Sequence, residues 1–165
     1  MREDEFERLY AEHAQPLFGF LVYRTGDRAL AEDLVADTFE RALRARRRFD
    51  RRKGSQKTWL YAIALNCLRD HLRRSQAEGR AVERVEAGAG GLAGGGLEQL
   101  AEDRDAVQRA LASLSPEERE AVALRYGAEL TVPEIARVLG VSSGTVASRL
   151  SRAHARLARE LAGEV

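Results

Sequence analysis

The stretch Ala31-Glu32-Asp33-Leu34-Val35-Ala36-Asp37-Thr38-Phe39-Glu40-Arg41-Ala42-Leu43 decides how this chain is read, together with the segment that follows it up to Arg74. Ala31, Leu34, Val35, Thr38, Phe39 and Leu43 recur at three- and four-residue intervals, the spacing of an amphipathic helix, and leave Glu32, Asp33 and Asp37 on the remaining surface. A dense basic run then extends from Arg41 to Lys57 and closes on Trp59-Leu60-Tyr61-Ala62-Ile63-Ala64-Leu65-Asn66. Positive charge beside aromatic side chains is what single-stranded nucleic acid requires, because phosphates need cations and unstacked bases need a flat π-face. An acidic helix followed by a basic, aromatic one sets the frame for the rest of the chain.

Working outward, 165 residues suffice for one domain or two small ones. The apolar share of 44% supports a core, while only 6% aromatic residues and an abundance of Ala and Leu favour helix packed on helix. No apolar run reaches the roughly 20 residues a bilayer span needs, and Met1-Arg2-Glu3-Asp4-Glu5 does not read as a signal peptide, so a cytoplasmic location without membrane insertion is expected. Cys67 is the only cysteine, which excludes an intrachain disulfide and a thiolate zinc cluster. The net charge of +1 is uninformative, but its distribution is not. Residues 1–40 carry ten acids against four Arg, 41–57 nine bases against Asp50 alone, and 81–120 nine acids against four Arg; 137–159 hold five Arg and no acid. Two basic patches separated by acidic surface suggest two nucleic-acid contacts, the bland alternative being solvated helix faces.

Phe6, Leu9, Tyr10, His13, Leu17, Phe18, Phe20 and Leu21 give one or two N-terminal helices bent or divided at Pro16. Gly26-Asp27 makes a turn, and Asp27 caps the helix carrying Ala31 to Leu43. Residues 49–55 lack periodicity and read as a loop. Gln56 to Arg74 forms the next helix, with Trp59, Ile63, Leu68 and Leu72 inward. The glycine-rich stretch 88–96 neither holds a helix nor packs, and without a following Gly-Lys-Ser/Thr it is not a phosphate loop. The whole segment from Gly79 to Gly96 reads as a flexible tether whose roughly 18 residues could reach about 60 Å. The expected organisation is therefore all-α: a domain over 1–78, a linker over 79–97 and a second helical domain over 98–165.

In the second domain, Leu97 to Leu114 mark one helix, and Ser115-Pro116-Glu117-Glu118 starts another that runs to about Tyr126. Thr131-Val132-Pro133-Glu134 is a capping box opening a short helix. Ala136, Gly140 and Val146 stand at relative positions 5, 9 and 15, the spacing of a helix-turn-helix. Ala136 is small where the helices cross, and Gly140 serves the φ > 0 turn. Ser142 caps the second helix, whose early turns display Ser143, Thr145, Ser148, Arg149 and Arg152. Arginine and short hydroxyls there suit a major groove.

Other chemistries are weaker. Cys67 and His71 share a helix face but lack further metal ligands. His13 and His154 stand alone. Asp33 and Asp37 have the spacing of a carboxylate pair, with no nucleophile motif nearby. No metal, cofactor or small-molecule substrate is expected.

Taken together, the blocks Phe6-x-x-Leu9-Tyr10, Ala31 to Phe39, Trp59 to Asp70 and Glu134 to Ala153 resemble, in order, the extracytoplasmic-function (ECF) type of RNA polymerase sigma factor. The resemblance implies a non-enzymatic initiation factor. Asp33, Asp37 and Glu40 would dock on the β′ clamp helices of RNA polymerase core. Lys57, Trp59, Tyr61, Asn66, Arg69, Arg73 and Arg74 would hold the melted minus-ten strand of promoter DNA. The C-terminal domain would read the minus-thirty-five element through Ser142, Ser143, Thr145, Ser148, Arg149 and Arg152 while resting on the β flap. A stress or envelope response under an anti-sigma factor is the expected setting. Departures from the pattern are Ala36 in place of Gln, Leu65 where a basic residue commonly precedes Asn66, and a linker unusually rich in Gly. The rival reading is a dimeric helix-turn-helix regulator that binds operator DNA without polymerase, and a nucleic-acid enzyme stands third.

Overall fold

The computed structural model of the chain describes residues 1–79 and 99–163. Seven α-helices account for most of these residues: α1 Glu3–Thr25, α2 Arg28–Ala45, α3 Gln56–Ala77, α4 Gln99–Ala112, α5 Pro116–Val122, α6 Val132–Leu139 and α7 Ser143–Ala162. No strand occurs among the described residues.

The caps follow the sequence signals. Asp27 accepts the Leu30 N–H at 3.1 Å, Ser55 that of Thr58 at 3.1 Å, and Ser142 that of Thr145 at 3.1 Å. Ser115 with Glu118 and Thr131 with Glu134 form reciprocal capping boxes. Gly140 ends α6 at φ 67°, the left-handed conformation expected of that turn.

The first three helices pack around Leu9, Leu17, Leu21, Leu34, Phe39 and Leu60, and α4 to α7 around Leu124, Ile135, Val146 and Leu150. Helix α3 also packs on α6, and α1 on the turn at 123–127, so the apolar core runs unbroken between the two halves.

Of the one or two N-terminal helices expected, the structure has one: α1 continues through Pro16 as one element. Proline costs a backbone hydrogen bond there, but Leu9 on one side and Leu17, Phe20 and Leu21 on the other are all buried, and that shared face holds the helix together. The loop at 49–55 contains a single 3₁₀ turn, Arg51–Lys53, preceded by another at Arg46–Arg48; a one-turn element has no period to detect. The helix beginning at Pro116 stops at Val122 and widens into a π-type turn over Ala123–Gly127. The expected tether, from residue 80 onward, falls outside the described residues.

Candidate nucleic-acid interface

Helix α2 turns Asp33 and Glu40 to solvent and leaves Asp37 half-exposed. Arg41, one turn on, donates through Nε to Asp37 at 3.3 Å and through Nη1 to Asp70 of α3 at 2.8 Å. That hydrogen bond raises the Arg41 pKa and is the main cause holding the Asp70 carboxyl below its usual range. Arg73 donates to the other Asp70 oxygen at 3.1 Å. Glu40 pairs with Arg44 on its own helix.

The candidates on and beside α3 divide by helical phase. Trp59, Asn66 and Arg73 are seven residues apart and return to one side of the helix. Asn66 and Arg73 are exposed, while Trp59 is half-buried with its ring centroid 5.2 Å from that of Phe49. Arg69 lies near this arc but is 3.9 Å from Glu120 of α5. Arg74 is exposed and donates to its own helix at the Asp70 carbonyl, 3.4 Å away. Tyr61 points the other way. It is 0% exposed, its ring centroid 5.3 Å from Phe20, and burial pushes its phenol up to about 12. In this arrangement Tyr61 offers no face to a base. The sequence ranked Trp59 as the inward aromatic, and the structure buries Tyr61 more deeply.

Lys57 is half-buried in an open cleft of about 620 Å³ with Arg51, Arg52, His13 and Arg137. Burial is the main reason that the His13 pKa is lowered. Arg51 pairs with Glu5 of α1 at 2.6 Å and Arg52 with Asp50 of its own turn at 3.4 Å, so these two bases of the run are already engaged by acids.

In the helix-turn-helix, Val146, Leu150 and Ala153 bury one face of α7 against α6 and α5. Ser142, Ser143 and Ser148 are exposed at its start, with Thr145 and Arg149 half-exposed. The Ser142 hydroxyl is committed to the cap and lies 2.9 Å from that of Thr145. Arg152 leans on Glu118, 3.8 Å away, as does Arg156 at 3.6 Å. Arg149, Arg152, Arg156 and Arg159 therefore form a stripe in which Arg152 and Arg156 are paired with Glu118, while Arg149 and Arg159 have no ion-pair partner among the described residues. Sequence reasoning stopped at Arg152 and missed this continuation, although the spacing of i, i+3, i+7 and i+10 was available. His154 is not isolated: its Nε2 is 2.7 Å from the Tyr126 hydroxyl.

Cys67 is buried, its thiol pKa raised mainly by that burial, and His71 Nε2 faces Ser75 Oγ at 3.3 Å. No cluster of three or more His, Cys, Asp or Glu side chains suited to a metal occurs among the described residues. No helix there is long and apolar enough to cross a membrane.

Two family models match in the order of the two halves: Sigma-70 region 2 over residues 9–78 and Sigma-70, region 4 over 104–157. The RNA polymerase sigma factor CarQ of Myxococcus xanthus is 34% identical, with 99% of this chain and 92% of CarQ covered. The ECF RNA polymerase sigma factor SigM of Mycobacterium tuberculosis is 36% identical over 94% of this chain and 76% of its own. The chain belongs to the ECF sigma factors. The ECF RNA polymerase sigma factor BldN of Streptomyces coelicolor is 34% identical over 96% of this chain, which spans 61% of BldN. Among solved structures, sigma factor RpoE in complex with the anti-sigma factor NepR, from Bartonella quintana, matches with a TM-score of 0.75 and 27% identity, covering 95% of this chain and 96% of RpoE. CnrH, solved with the cytosolic domain of CnrY, matches with a TM-score of 0.72 and 25% identity over 99% of this chain and 92% of CnrH.

Proposed function

We propose that this ECF sigma factor binds RNA polymerase core and directs promoter-specific initiation, contributing contacts rather than chemistry of its own. The observation that carries the reading is the ordered pair of sigma regions on one chain, with an acidic face on α2 and a capped recognition helix, α7, both open to solvent. Asp33, Asp37 and Glu40 form the polymerase-docking set. Asn66 and Arg73, with Trp59 at the edge, hold melted strand, and Arg69 joins them when it is released from Glu120. Ser143, Ser148 and Arg149 lead duplex reading at the start of α7, with Arg152 behind them. Short hydroxyls reach phosphates, and Arg binds guanine bidentately. Residues 1–78 and 98–165 act as the two working domains, joined through 79–97. RpoE was solved with an anti-sigma factor, and a protein partner of that class is proposed here too.

The test is association with purified core polymerase, followed by transcription from a pool of promoter fragments. Core binding with new, sequence-specific start sites is the expected result. Stable dimers that shift duplex DNA while ignoring core would overturn the reading in favour of a free-standing regulator.

A further inference from the structure

The arginines along α7 share one side of the helix but not the same surroundings. Thr145, Ser148, Arg149 and Arg152 fall within about 100° of arc, opposite the buried Val146, Leu150 and Ala153. Arg149 has no ion-pair partner among the described residues, whereas Arg152 and Arg156 both turn Nε toward Glu118 of α5. Arg156 is held twice, because its Nη1 also donates to the Ser113 carbonyl at 3.1 Å. Arg152 is held once and stays 61% exposed.

Glu118 is placed to keep an arginine still. Its side chain is 4% exposed. Oε2 accepts the Ser115 N–H at 3.2 Å and lies 3.6 Å from Arg156, which leaves Oε1 for Arg152 at 3.8 Å. The Glu118 N–H in turn donates to Ser115 Oγ at 3.2 Å, so the capping box fixes both its backbone and its carboxylate. A carboxylate tied down in this way cannot follow a wandering side chain; it biases where that side chain rests. At 3.8 Å the contact with Arg152 is an ion pair and not a hydrogen bond, and it engages the Nε edge. Neither Nη atom of Arg152 has a hydrogen-bond partner among the described residues.

Reach makes this useful. A recognition helix meets base edges chiefly through its first turns, and Arg152 lies about 15 Å along the axis from the cap at Ser142. A base contact from there needs a long side chain delivered in one direction. A free arginine gives up its rotamer freedom on binding. One already held at Nε gives up less, and its two Nη groups still form the fork that guanine O6 and N7 accept.

We propose that Glu118 is a positioning residue for promoter recognition: it holds Arg152 at Nε and presents the Nη edge to the major groove, where Arg152 reads a base pair of its own. The proposal rests on α7 being the duplex reader of the sigma factor, and it extends that reading to a residue of α5 that touches no DNA.

The test assembles full-chain variants with core polymerase and selects on a promoter pool randomised through the upstream element. Arg152→Ala should abolish the preference at one base pair. Glu118→Gln should weaken that same preference roughly two- to fivefold, the span of a partly screened ion pair, and leave the other positions as in the parent. The double variant should match Arg152→Ala. Ser115→Ala is the control for a loosened α5: it lowers Tm and leaves the selection unchanged. A Glu118→Gln effect that is absent, or equal at every position, would refute positioning, as would an Arg152→Ala selection identical to the parent's. Without any substitution, ¹⁵N relaxation of the arginine Nε–H groups in the parent chain should show Arg152 more ordered than Arg149. Equal mobility would also refute the proposal. A parent holoenzyme with no upstream sequence preference at all would instead remove the sigma reading of α7.

Discussion

Glu118 offers a stringent check on the C-terminal half, because one buried carboxylate performs two separable tasks. Its side chain is 4% exposed. Oε2 accepts the Ser115 N–H at 3.2 Å, closing the capping box, and the carboxylate also faces Arg152 and Arg156. Glu118→Ala removes the acceptor for a part-buried N–H, a loss of about 1–3 kcal/mol. The arginines are 61% and 44% exposed and regain water, so their ion pairs add only ~0.5 kcal/mol or so. The total is ~1.5–3.5 kcal/mol, which for a chain of this size lowers Tm by ~3–14 °C. Glu118→Gln keeps an amide oxygen for the cap and loses only the charge, so its Tm should fall by no more than ~3 °C. Thermal melts followed by far-UV circular dichroism separate the cases. If the glutamine variant melted as low as the alanine variant, the charge and not the cap would carry the stability. If neither moved, the whole account of this side chain would fail.

Other consequences are equally direct. Tyr61 has a folded pKa raised to about 12 from an ordinary value of 10.0, so the stability it confers is complete below pH 10. That contribution, ~2–3 kcal/mol, should be lost as pH rises from 10 to 12. Denaturant titrations across that window should be flatter in Tyr61→Phe, which at neutral pH should match or exceed the parent, because the hydroxyl it lacks has no partner. Gly140→Ala meets no atom within 4 Å of its new Cβ, so its whole effect is the left-handed φ of 67°, a loss of ~1–2 kcal/mol readable in urea melts. Arg149→Ala should cost ~1–3 kcal/mol of duplex binding and relax sequence preference in a randomised-site selection; an unaltered selection would remove it from the reading set. Asp33→Lys, on a fully solvated face, should leave the melting curve within ~0.5 kcal/mol and weaken core association in a pull-down titration.

Much of this was legible because it rests on local rules. The caps at Asp27, Ser115, Thr131 and Ser142 and the turn at Gly140 are written in residue chemistry and read directly from it. The all-α class and the helix-turn-helix followed from spacing, and the sigma resemblance held once the family comparisons were made. What periodicity could not supply was the partner of each apolar side. It could not choose between Trp59 and Tyr61 as the deeper aromatic, because that depends on α1 bringing Phe20 to one side of α3. It left open whether Pro16 divides α1, because the packing of α1 on α2 decides that. Leu65 stood out as a departure from a pattern and read as a lost phosphate contact. In the structure it is a core residue, 1% exposed. Glu120, in the middle of an acidic run, carried no distinguishing signal.

Asp37, Arg41, Asp70 and Arg73 alternate in sign from the outer side of α2 to the far side of α3, each within hydrogen-bond reach of the next. The four charges cancel as a set, so the acidic surface and the cationic one are two ends of a single neutral string. The exposed charges of α2 and α3 are thus members of one hydrogen-bonded set rather than two independent surfaces.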